Sequence, residues 1–260
     1  ETYAIELKNI TKRFGKVTAN HKVCLSVKRG EILSILGENG SGKTTLMNMI
    51  SGIYYPDEGQ IFVNGNEVTI RSPKDSFTLG IGMIHQHFKL VDVLTAAENI
   101  ILGLAGKEVL DMKGVTARIN ELTARYGFDL DPGQKIYTMS VSQKQTVEIV
   151  KLLYRGVDIL ILDEPTASLN EDDSKALLEL LLKFKKEGMT SIIISHKLNE
   201  ISYVADKITV IRDGSTIETL DKKTDDISEG RIIQGMVGRE LTDRFPKRPH
   251  VKIGDVSMEV

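Results

Sequence analysis

The stretch GENGSGKTT, which spans Gly37–Thr45, constrains the fold of this chain more than any other part of its sequence. It matches the pattern G-x-x-x-x-G-K-[ST] and lies between an apolar run, ILSIL, and a helical pattern, TTLMNMISG. In such a strand–loop–helix unit, glycines let backbone N–H groups curl around phosphate oxygens, and the helix N-terminus adds partial positive charge. The alternative is a glycine-rich turn without a ligand, which would need neither the strand nor the helix. The pattern therefore predicts an α/β fold with a loop that binds phosphate groups.

Two carboxylates follow another apolar run, ILIL, and complement this loop. Lys43 is expected to reach the β- and γ-phosphates of a nucleotide, and the Thr44 hydroxyl to hold Mg²⁺. Asp163 would support the same Mg²⁺, and Glu164 would act as the general base for a water that attacks ATP. Ordinary turn carboxylates are the alternative, but two adjacent carboxylates after four aliphatic residues are costly without cationic partners. These residues predict ATP hydrolysis.

Two further candidate residues end apolar runs of the same kind. Continuous apolar runs indicate strands buried on both faces of a parallel sheet, and ligands bind beyond the carboxyl ends of such strands. His196 follows SIIIS and is predicted to orient the water or stabilise developing charge, although a histidine there is more often a plain surface or core group. Gln86, in GMIHQHF, is predicted to contact the water or Mg²⁺, with an exposed turn amide as the alternative.

The remaining patterns predict a mixed sheet beside the parallel one, and helices. Four segments indicate antiparallel strands, with Asn64-Gly65 and Asp213-Gly214 as turn signals: YAIEL, VCLSV, QIFVNGNEV and ITVIRDGSTIETL. Residues from about 90 to 155 follow a helical period and are predicted to form a helical insertion. A further helix is predicted for SKALLELLLKFKKEG, with one apolar face formed by Ala176, Leu177, Leu180, Leu181 and Phe184.

Charge and cysteine content limit the classes of partner and compartment. Lys plus Arg number 34 against 36 Asp plus Glu, so the net charge of −2 provides no electrostatic reason to expect nucleic acid or an anionic membrane as the main partner. The single cysteine, Cys24, excludes an intramolecular disulfide and is predicted to be a small core residue in a reducing compartment. No apolar run approaches about 18 residues, and the stretch ETYAIELKNI lacks the regions of a secretion signal. We therefore expect a cytosolic chain.

A polar segment, MSVSQ, precedes the helical run KQTVEIVKLL. Ser140 as N-cap and Gln143 three residues later form a capping box, which alone would explain the segment. The wider context adds a second interpretation, because GENGSGKTT, Gln86, MSVSQ, ILILDE, ASLN and SHK occur in one order across most of the chain. That order resembles the ATP-binding subunits of ABC transporters, over residues from about 3 to 240.

The resemblance implies a P-loop NTPase fold of the ABC type, with a mixed sheet core, an antiparallel β subdomain and a helical insertion. It implies that ATP contacts the Walker A residues Gly37, Asn39, Gly40, Ser41, Gly42, Lys43, Thr44 and Thr45. Asp163 and Glu164 would be the Walker B pair, Gln86 the Q-loop residue and His196 the switch histidine, with Mg²⁺ held by Thr44, Gln86 and Asp163. Phe14, in TKRFGK, would stack on adenine, although a lone Phe after a strand is more often part of the core.

The family's signature, LSGGQ, aligns with Met139–Gln143 and includes Ser140, Val141 and Ser142 here. In that family its serine, glycines and helix N-terminus face the γ-phosphate of ATP on an opposing domain. Here Val141 and Ser142 replace both glycines, and Asn170 in ASLN replaces the usual Asp of the D-loop. Because a signature acts in trans, we expect these departures to affect the partner's nucleotide site rather than the site at Lys43. The two sites should be unequal.

The last residues resemble a segment near the start of the chain, and if this is a repeat we expect a second domain to begin there. VSMEV matches YAIEL in apolar spacing and in its glutamate, with chance similarity as the alternative. We expect an ABC ATPase domain over residues 1–240, a linker over 241–255 and the first strand of a second ABC domain at 256–260. SVSQ, HQHF, ENIILG and MVGREL resemble the first half of tandem-domain ATPases that import simple sugars such as ribose, xylose or galactose. KLLYRGVDILILDEPTA also resembles related nucleoside importers.

This resemblance implies ATP-driven import of a simple sugar, with nucleoside import as the alternative. Its partners would be transmembrane permease subunits and, indirectly, a periplasmic or lipoprotein sugar-binding protein, and it would act at the cytoplasmic face of the cell membrane. A non-transport ABC ATPase of DNA repair or translation should show a basic face or long coiled-coil arms, and the sequence has neither pattern. A small-molecule kinase would share the phosphate loop but would not need MSVSQ.

Overall fold

The computed structural model describes residues 2–104 and 111–237. In chain order the elements are β1 (Tyr3–Phe14), β2 (Val17–Lys28), β3 (Ile32–Leu36), α1 (Lys43–Ile50), β4 (Glu58–Val63), β5 (Asn66–Val68), α2 (Pro73–Thr78), β6 (Ile81–Ile84), α3 (Ala96–Ile101), α4 (Met112–Tyr126), α5 (Val141–Tyr154), β7 (Ile159–Asp163), α6 (Glu171–Lys186), β8 (Thr190–Ile194), α7 (Leu198–Val204), β9 (Lys207–Arg212), β10 (Ser215–Asp221) and α8 (Glu229–Val237). Within these residues, no helix has the length and apolar character needed to cross a membrane. The predicted linker and second-domain strand, 241–260, lie outside the described residues.

The central sheet has the strand order β10-β9-β3-β8-β7-β6, and every neighbouring pair except β10 with β9 is parallel. β3, β6, β7 and β8 are buried at every position. A strand covered on both faces buries alternate side chains equally, which is why these sequences are continuously apolar. The prediction of parallel strands from ILSIL, ILIL and SIIIS is confirmed. The pairing of Asp163 with Ile194 brings the carboxyl ends of β7 and β8 together.

A second sheet, with the order β2-β1-β4-β5, is antiparallel throughout. Asn64 and Gly65 connect β4 to β5 with φ angles of 52° and 80°, values that asparagine and glycine adopt more readily than other residues. The antiparallel strands predicted from YAIEL, VCLSV and QIFVNGNEV are therefore confirmed. This sheet is the antiparallel β subdomain of the predicted fold.

Two details of the predicted strands are wrong. ITVIRDGSTIETL forms the expected hairpin, but β9 also pairs in parallel with β3 and so extends the central sheet. The four middle residues of β9 are all buried, as a strand inside the central sheet requires. Cys24 is exposed rather than in the core, because the alternation of β2 buries Val23 and Leu25 and turns Cys24 to the other face.

The helices pack on both sides of this framework. α3, α4 and α5 fall in the segment from 90 to 155, and their apolar faces meet in one cluster. α6 begins earlier than predicted, at Glu171, because the Asn170 side chain accepts a hydrogen bond from the Asp173 N–H at 2.8 Å and caps the helix. Its predicted apolar face is also shifted. Ala176 is exposed, and the buried apolar side chains of α6 are Leu177, Leu178, Leu181 and Phe184.

Candidate functional site

The glycine-rich loop joins β3 to α1 at the carboxyl edge of the central sheet. Gly42 has a φ of 94°, and a Cβ there would lie 2.3 Å from the carbonyl oxygen of Ala19. At Gly37, a Cβ would lie 2.2 Å from the carbonyl oxygen of Ile211. Glycine is therefore required at both ends of the loop. No side chain caps α1, so the N–H groups of its first turn keep hydrogen-bonding capacity for an anionic ligand.

The side chain of Lys43 curls back over this loop. Its Nζ donates to the carbonyl oxygens of Gly37 and Glu38, both at 2.8 Å. Burial lowers the pKa of Lys43, and the nearby charges of Glu164 and Asp163 act in the opposite direction. The ammonium group is thus held by neutral acceptors, and an anionic phosphate oxygen would be a stronger partner.

Thr44 and Asp163 meet although they come from different strand ends. The Thr44 hydroxyl donates to Asp163 Oδ2 at 3.1 Å, and Asp163 is 6% exposed. Burial raises the pKa of the Asp163 carboxyl, the Glu164 charge adds to this rise, and the Thr44 hydrogen bond and the Lys43 charge oppose it. A buried carboxylate beside a hydroxyl oxygen is a donor set that fits Mg²⁺, a cation that prefers oxygen ligands.

Glu164 and His196 form a close pair beyond β7 and β8. His196 Nδ1 lies 3.0 Å from Glu164 Oε1 and 2.9 Å from Oε2. An ionised carboxylate only accepts, so Nδ1 carries the proton in this contact. Glu164 has a φ of 48°, which is uncommon for a residue other than glycine. Its N–H donates to the Ile194 carbonyl oxygen at 2.9 Å, which holds the residue against β8.

These side chains face one cavity of about 560 Å³. Most of the predicted site residues line it, namely Asn39, Gly40, Gly42, Lys43, Thr44, Thr45, Gln86, Asp163, Glu164 and His196. Val17, Thr18, Ala19 and Ile194 line it too, although the sequence does not predict them. The first three reach the loop only because β2 packs beside it, and no local sequence pattern signals that contact. A larger cavity of about 730 Å³ between α6 and α7 contains no phosphate-binding loop.

Three predicted nucleotide contacts are not part of this lining. Gly37 and Ser41 belong to the loop itself but do not line the cavity, and Ser41 is buried. Phe14, at the end of β1, packs edge-to-face on Tyr54, with ring centroids 5.1 Å apart, and remains 42% exposed. Its contact with adenine stays a prediction.

The segment Ser140–Gln143 begins α5 on a different surface from this cavity. The capping box is confirmed: the Gln143 N–H donates to Ser140 Oγ at 3.2 Å, and the Ser140 N–H donates to Gln143 Oε1 at 3.0 Å. Val141, in the first turn, is 42% exposed. This chain therefore does not place the segment against its own phosphate loop, and a role toward an opposing domain stays a prediction.

Comparison with known proteins identifies the family. The ABC transporter family profile matches residues 20–167. The chain is 48% identical to the L-arabinose transport ATP-binding protein AraG of Geobacillus stearothermophilus, over 99% of this chain and 51% of that protein. It is 46% identical to the nucleoside import ATP-binding protein NupA of Lactococcus lactis subsp. cremoris (strain MG1363), over 98% of this chain and 50% of that protein. The chain spans about half the length of the curated relatives it matches.

A solved structure supports the same fold. An ATP-binding cassette of an ABC transporter in its ADP conformation matches with a TM-score of 0.80 and 24% identity, covering 91% of this chain and 99% of that one. The predicted fold class is confirmed by this likeness and by the two sheets described above. Because the family profile covers more than half of the 260 residues, the chain belongs to the ABC transporter family.

Proposed function

We propose that this chain binds and hydrolyses ATP and thereby powers the import of a simple sugar through a membrane permease. The observation that carries the proposal is the convergence of the Lys43 loop and the Glu164–His196 pair on one cavity. The choice of cargo class is supported by AraG, whose name states L-arabinose transport.

The loop supplies the contacts that a triphosphate needs. Backbone N–H groups of the loop and of the first turn of α1 would bind phosphate oxygens. Lys43 would exchange the carbonyl oxygens of Gly37 and Glu38 for phosphate oxygens, whose negative charge would add Coulomb attraction to the hydrogen bonds of the ammonium group. Phosphate binding would therefore also offset the free-energy cost of burying the Lys43 ammonium group among neutral acceptors.

Thr44, Gln86 and Asp163 would hold Mg²⁺. Their hydroxyl, amide and carboxylate oxygens fit a hard cation, and the 3.1 Å hydrogen bond keeps the Thr44 and Asp163 oxygens adjacent. The chemistry that a bound Mg²⁺ would supply there is positive charge, which would offset the negative charge that develops on the phosphate oxygens. A cation beside Asp163 would also offset the cost of burying that carboxylate.

Glu164 would take the proton from the attacking water. The water oxygen would form its bond to the γ-phosphorus while the bond from that phosphorus to the bridging oxygen breaks, which releases ADP and inorganic phosphate. The Nδ1–H of His196 would keep the Glu164 carboxylate oriented, and the Lys43 ammonium would stabilise the charge on the phosphate oxygens. A positioned base of this kind contributes a factor of about 10² to 10⁴ in rate.

Hydrolysis would also require a second ABC ATPase domain, carried by the same full-length polypeptide. The support is that the relatives are about twice as long as this chain. The opposing domain would present its signature to the nucleotide at Lys43, while Ser140–Gln143 of this chain would face the partner's nucleotide. Because Val141 and Ser142 carry side chains where the signature has glycines, the partner's site is expected to be the less active one.

The remaining partners follow from the transport role. Transmembrane permease subunits would contact the helical segment that begins after Gln86, and a periplasmic or lipoprotein sugar-binding protein would act through the permease. The domain would then work at the cytoplasmic face of the cell membrane.

The test is phosphate release by this chain, alone and together with its second domain. We expect turnover by the pair and little turnover by the chain alone. In the pair, Lys43→Ala should weaken ATP binding at least about tenfold, because a hydrogen bond to a charged group is worth about 1.5–3 kcal/mol. Full turnover by the isolated chain would contradict the need for a partner. Calorimetry that detects no ATP binding would contradict the proposed function itself.

Nucleoside import is the second candidate, because the identity to NupA, 46%, is close to the identity to AraG, 48%. Uptake of labelled pentoses and of labelled nucleosides by cells that express the full-length protein and its permease distinguishes the two. We expect pentose uptake, and loss of that uptake when Lys43→Ala is introduced. Nucleoside uptake that depends on Lys43 would favour the second candidate.

A further inference from the structure

A buried amide connects α5 to the loop that follows β7. Gln145, in the second turn of α5, is 5% exposed. Its Nε2 donates to the carbonyl oxygen of Pro165 at 2.6 Å. Pro165 directly follows Glu164, so this hydrogen bond ends one peptide unit from the residue proposed as the general base. Among the described residues, it is the hydrogen bond that joins α5 to residues 164–166.

The backbone at this loop needs to be held. Glu164 has a φ of 48°, and a residue other than glycine keeps such a conformation only when its surroundings fix it. On one side, the Glu164 N–H donates to the Ile194 carbonyl oxygen, and Lys197 Nζ donates to the Thr166 carbonyl oxygen at 3.0 Å. Those two contacts come from β8 and from the residue before α7. Gln145 provides the contact from the other side, through α5.

We propose that Gln145 is a positioning residue for ATP hydrolysis, which fixes the backbone after Glu164 to α5 and thereby holds the Glu164 carboxylate toward the cavity. The inference rests on the proposed function, because it presumes that Glu164 is the base. Gln145 does not line the cavity, so it acts through Glu164 rather than on the nucleotide.

This contact also connects two surfaces. α5 begins after Ser140, in the segment proposed to face the partner's nucleotide, and Gln145 lies about 7.5 Å from Ser140 along the helix axis. A shift of α5 toward the partner would therefore pull on the Pro165 carbonyl and on the residue before it. The orientation of Glu164 at one nucleotide site then depends on the position of the helix that serves the other site.

The first experiment compares Gln145→Met with the wild type in the full-length protein. Methionine keeps the length and volume of the side chain but removes the donor. We expect kcat for ATP hydrolysis to fall about tenfold, as for one lost hydrogen bond, while KM and the affinity for ATP stay within about twofold. Thr146→Val is the matched control, because the Thr146 hydroxyl donates within α5, to the Ser142 carbonyl oxygen at 3.2 Å. Its kcat should stay close to that of the wild type.

A second variant tests the donor itself. Gln145→Glu keeps the length of the side chain, but the introduced carboxyl can donate to the Pro165 carbonyl oxygen only when it is protonated. Burial favours the protonated form, so kcat relative to the wild type should rise as pH falls from about 8 to about 6. Because an ionised carboxyl at this buried position would also weaken packing, circular dichroism at each pH must show a constant folded fraction; a change in kcat at constant folded fraction reports the hydrogen bond. If Gln145→Met does not fold, the pH dependence of kcat for Gln145→Glu relative to the wild type still tests the proposal.

The outcomes are distinct. An unchanged kcat in Gln145→Met, or a raised KM with unchanged kcat, would overturn the proposal, as would a flat pH ratio for Gln145→Glu. A wild-type protein without any ATP hydrolysis would instead overturn the proposed function, and this inference with it.

Discussion

Individual side chains at the carboxyl edge of the central sheet carry charges that burial disfavours. Burial raises the pKa of Asp163 and lowers the pKa of Lys43, so the ionised form of each is less stable than it would be in water. Both would regain stability from opposite charge, from Mg²⁺ beside Asp163 and from phosphate beside Lys43. The free protein therefore keeps these groups at some cost in stability, which a bound nucleotide would remove.

Asp163→Asn should stabilise the free protein and abolish Mg²⁺-dependent nucleotide binding. Because the pKa of Asp163 is raised above its ordinary value of 3.8, the native chain binds this proton more tightly than the unfolded chain does. Its contribution to the free energy of unfolding therefore declines as pH rises from that value through the raised pKa, and stays lowest above it. Urea denaturation should show a larger gain for Asp163→Asn at neutral pH than at acid pH. A variant less stable than the wild type at neutral pH would contradict this reasoning.

Glu164→Gln should separate binding from hydrolysis. The amide keeps an acceptor for His196 but cannot take a proton, so phosphate release should fall by a factor of about 10² to 10⁴ while ATP affinity is retained. Glu121→Gln, at an exposed position of α4, is the control and should leave both quantities unchanged. Unchanged turnover in Glu164→Gln would refute the assignment of the general base.

The ends of the helices determine which backbone N–H groups are available to a ligand. α1 begins without a side-chain cap and so leaves its N–H groups for a ligand, whereas the first turn of α5 is closed by the capping box of Ser140 and Gln143. The first arrangement suits an anion held by the backbone. At the start of α5, the Ser140 hydroxyl oxygen already accepts a hydrogen bond from the helix backbone, and the exposed apolar side chain of Val141 lies next to it.

Two glycines of the phosphate loop provide a matched pair for testing its shape. Both Gly40 and Gly42 have positive φ, 82° and 94°, but a Cβ would meet no atom within 4 Å at Gly40 and the Ala19 carbonyl oxygen at 2.3 Å at Gly42. Gly40→Ala should lose only the conformational term of about 1–2 kcal/mol. Gly42→Ala should lose that term and about 1–3 kcal/mol more for the collision. Urea denaturation measures both losses, and equal losses would show that the loop adapts to the added methyl group.

Ser140→Ala should lower the free energy of unfolding by about 0.5–2 kcal/mol, because the N–H of Gln143 loses its acceptor at the start of α5. Ser142→Ala, two residues after Ser140, leaves both hydrogen bonds of the capping box in place and should have a smaller effect. Chemical denaturation of the two variants gives the comparison. A loss in Ser142→Ala as large as that in Ser140→Ala would contradict the capping role.

One edge of the central sheet brings together residues from four strand ends. β3 leads to Lys43, β6 to Gln86, β7 to Asp163 and β8 to His196, and parallel pairing places all four ends on the same side. The site is therefore a property of the sheet order rather than of any single motif. This arrangement explains why residues widely separated along the chain line one cavity.

The proposed tandem organisation makes a prediction about the gene. Its coding sequence should continue beyond the codon for Val260 and encode a second G-x-x-x-x-G-K-[ST] loop after a strand-like apolar run. The reason is that the relatives are about twice as long and that the proposed trans signature would need an opposing domain. Sequencing the locus provides the measurement. A stop codon shortly after Val260 would contradict the tandem arrangement and favour a separate partner chain.

The buried strands could be predicted from the sequence, whereas the exposure of Cys24 and the contact of Gln145 could not. The strands ending at Leu36 and Asp163 were predictable because burial on both faces leaves an uninterrupted apolar run. Cys24 was not, since its exposure depends on which face of β2 packs on the core. Gln145 carries no signal of its own, because an amide in a helix becomes informative only when its partner, here the Pro165 carbonyl, is known.

The phosphate loop and the buried strands could be predicted from the sequence, because each is a local pattern whose spacing lies in consecutive residues. Three contacts could be found only in the folded chain: β9 extends the central sheet, Val17–Ala19 line the cavity, and α5 is hydrogen-bonded to the loop after Glu164. Those contacts join segments distant along the chain. They depend on how whole strands and helices pack together, and no short stretch of sequence predicts that packing.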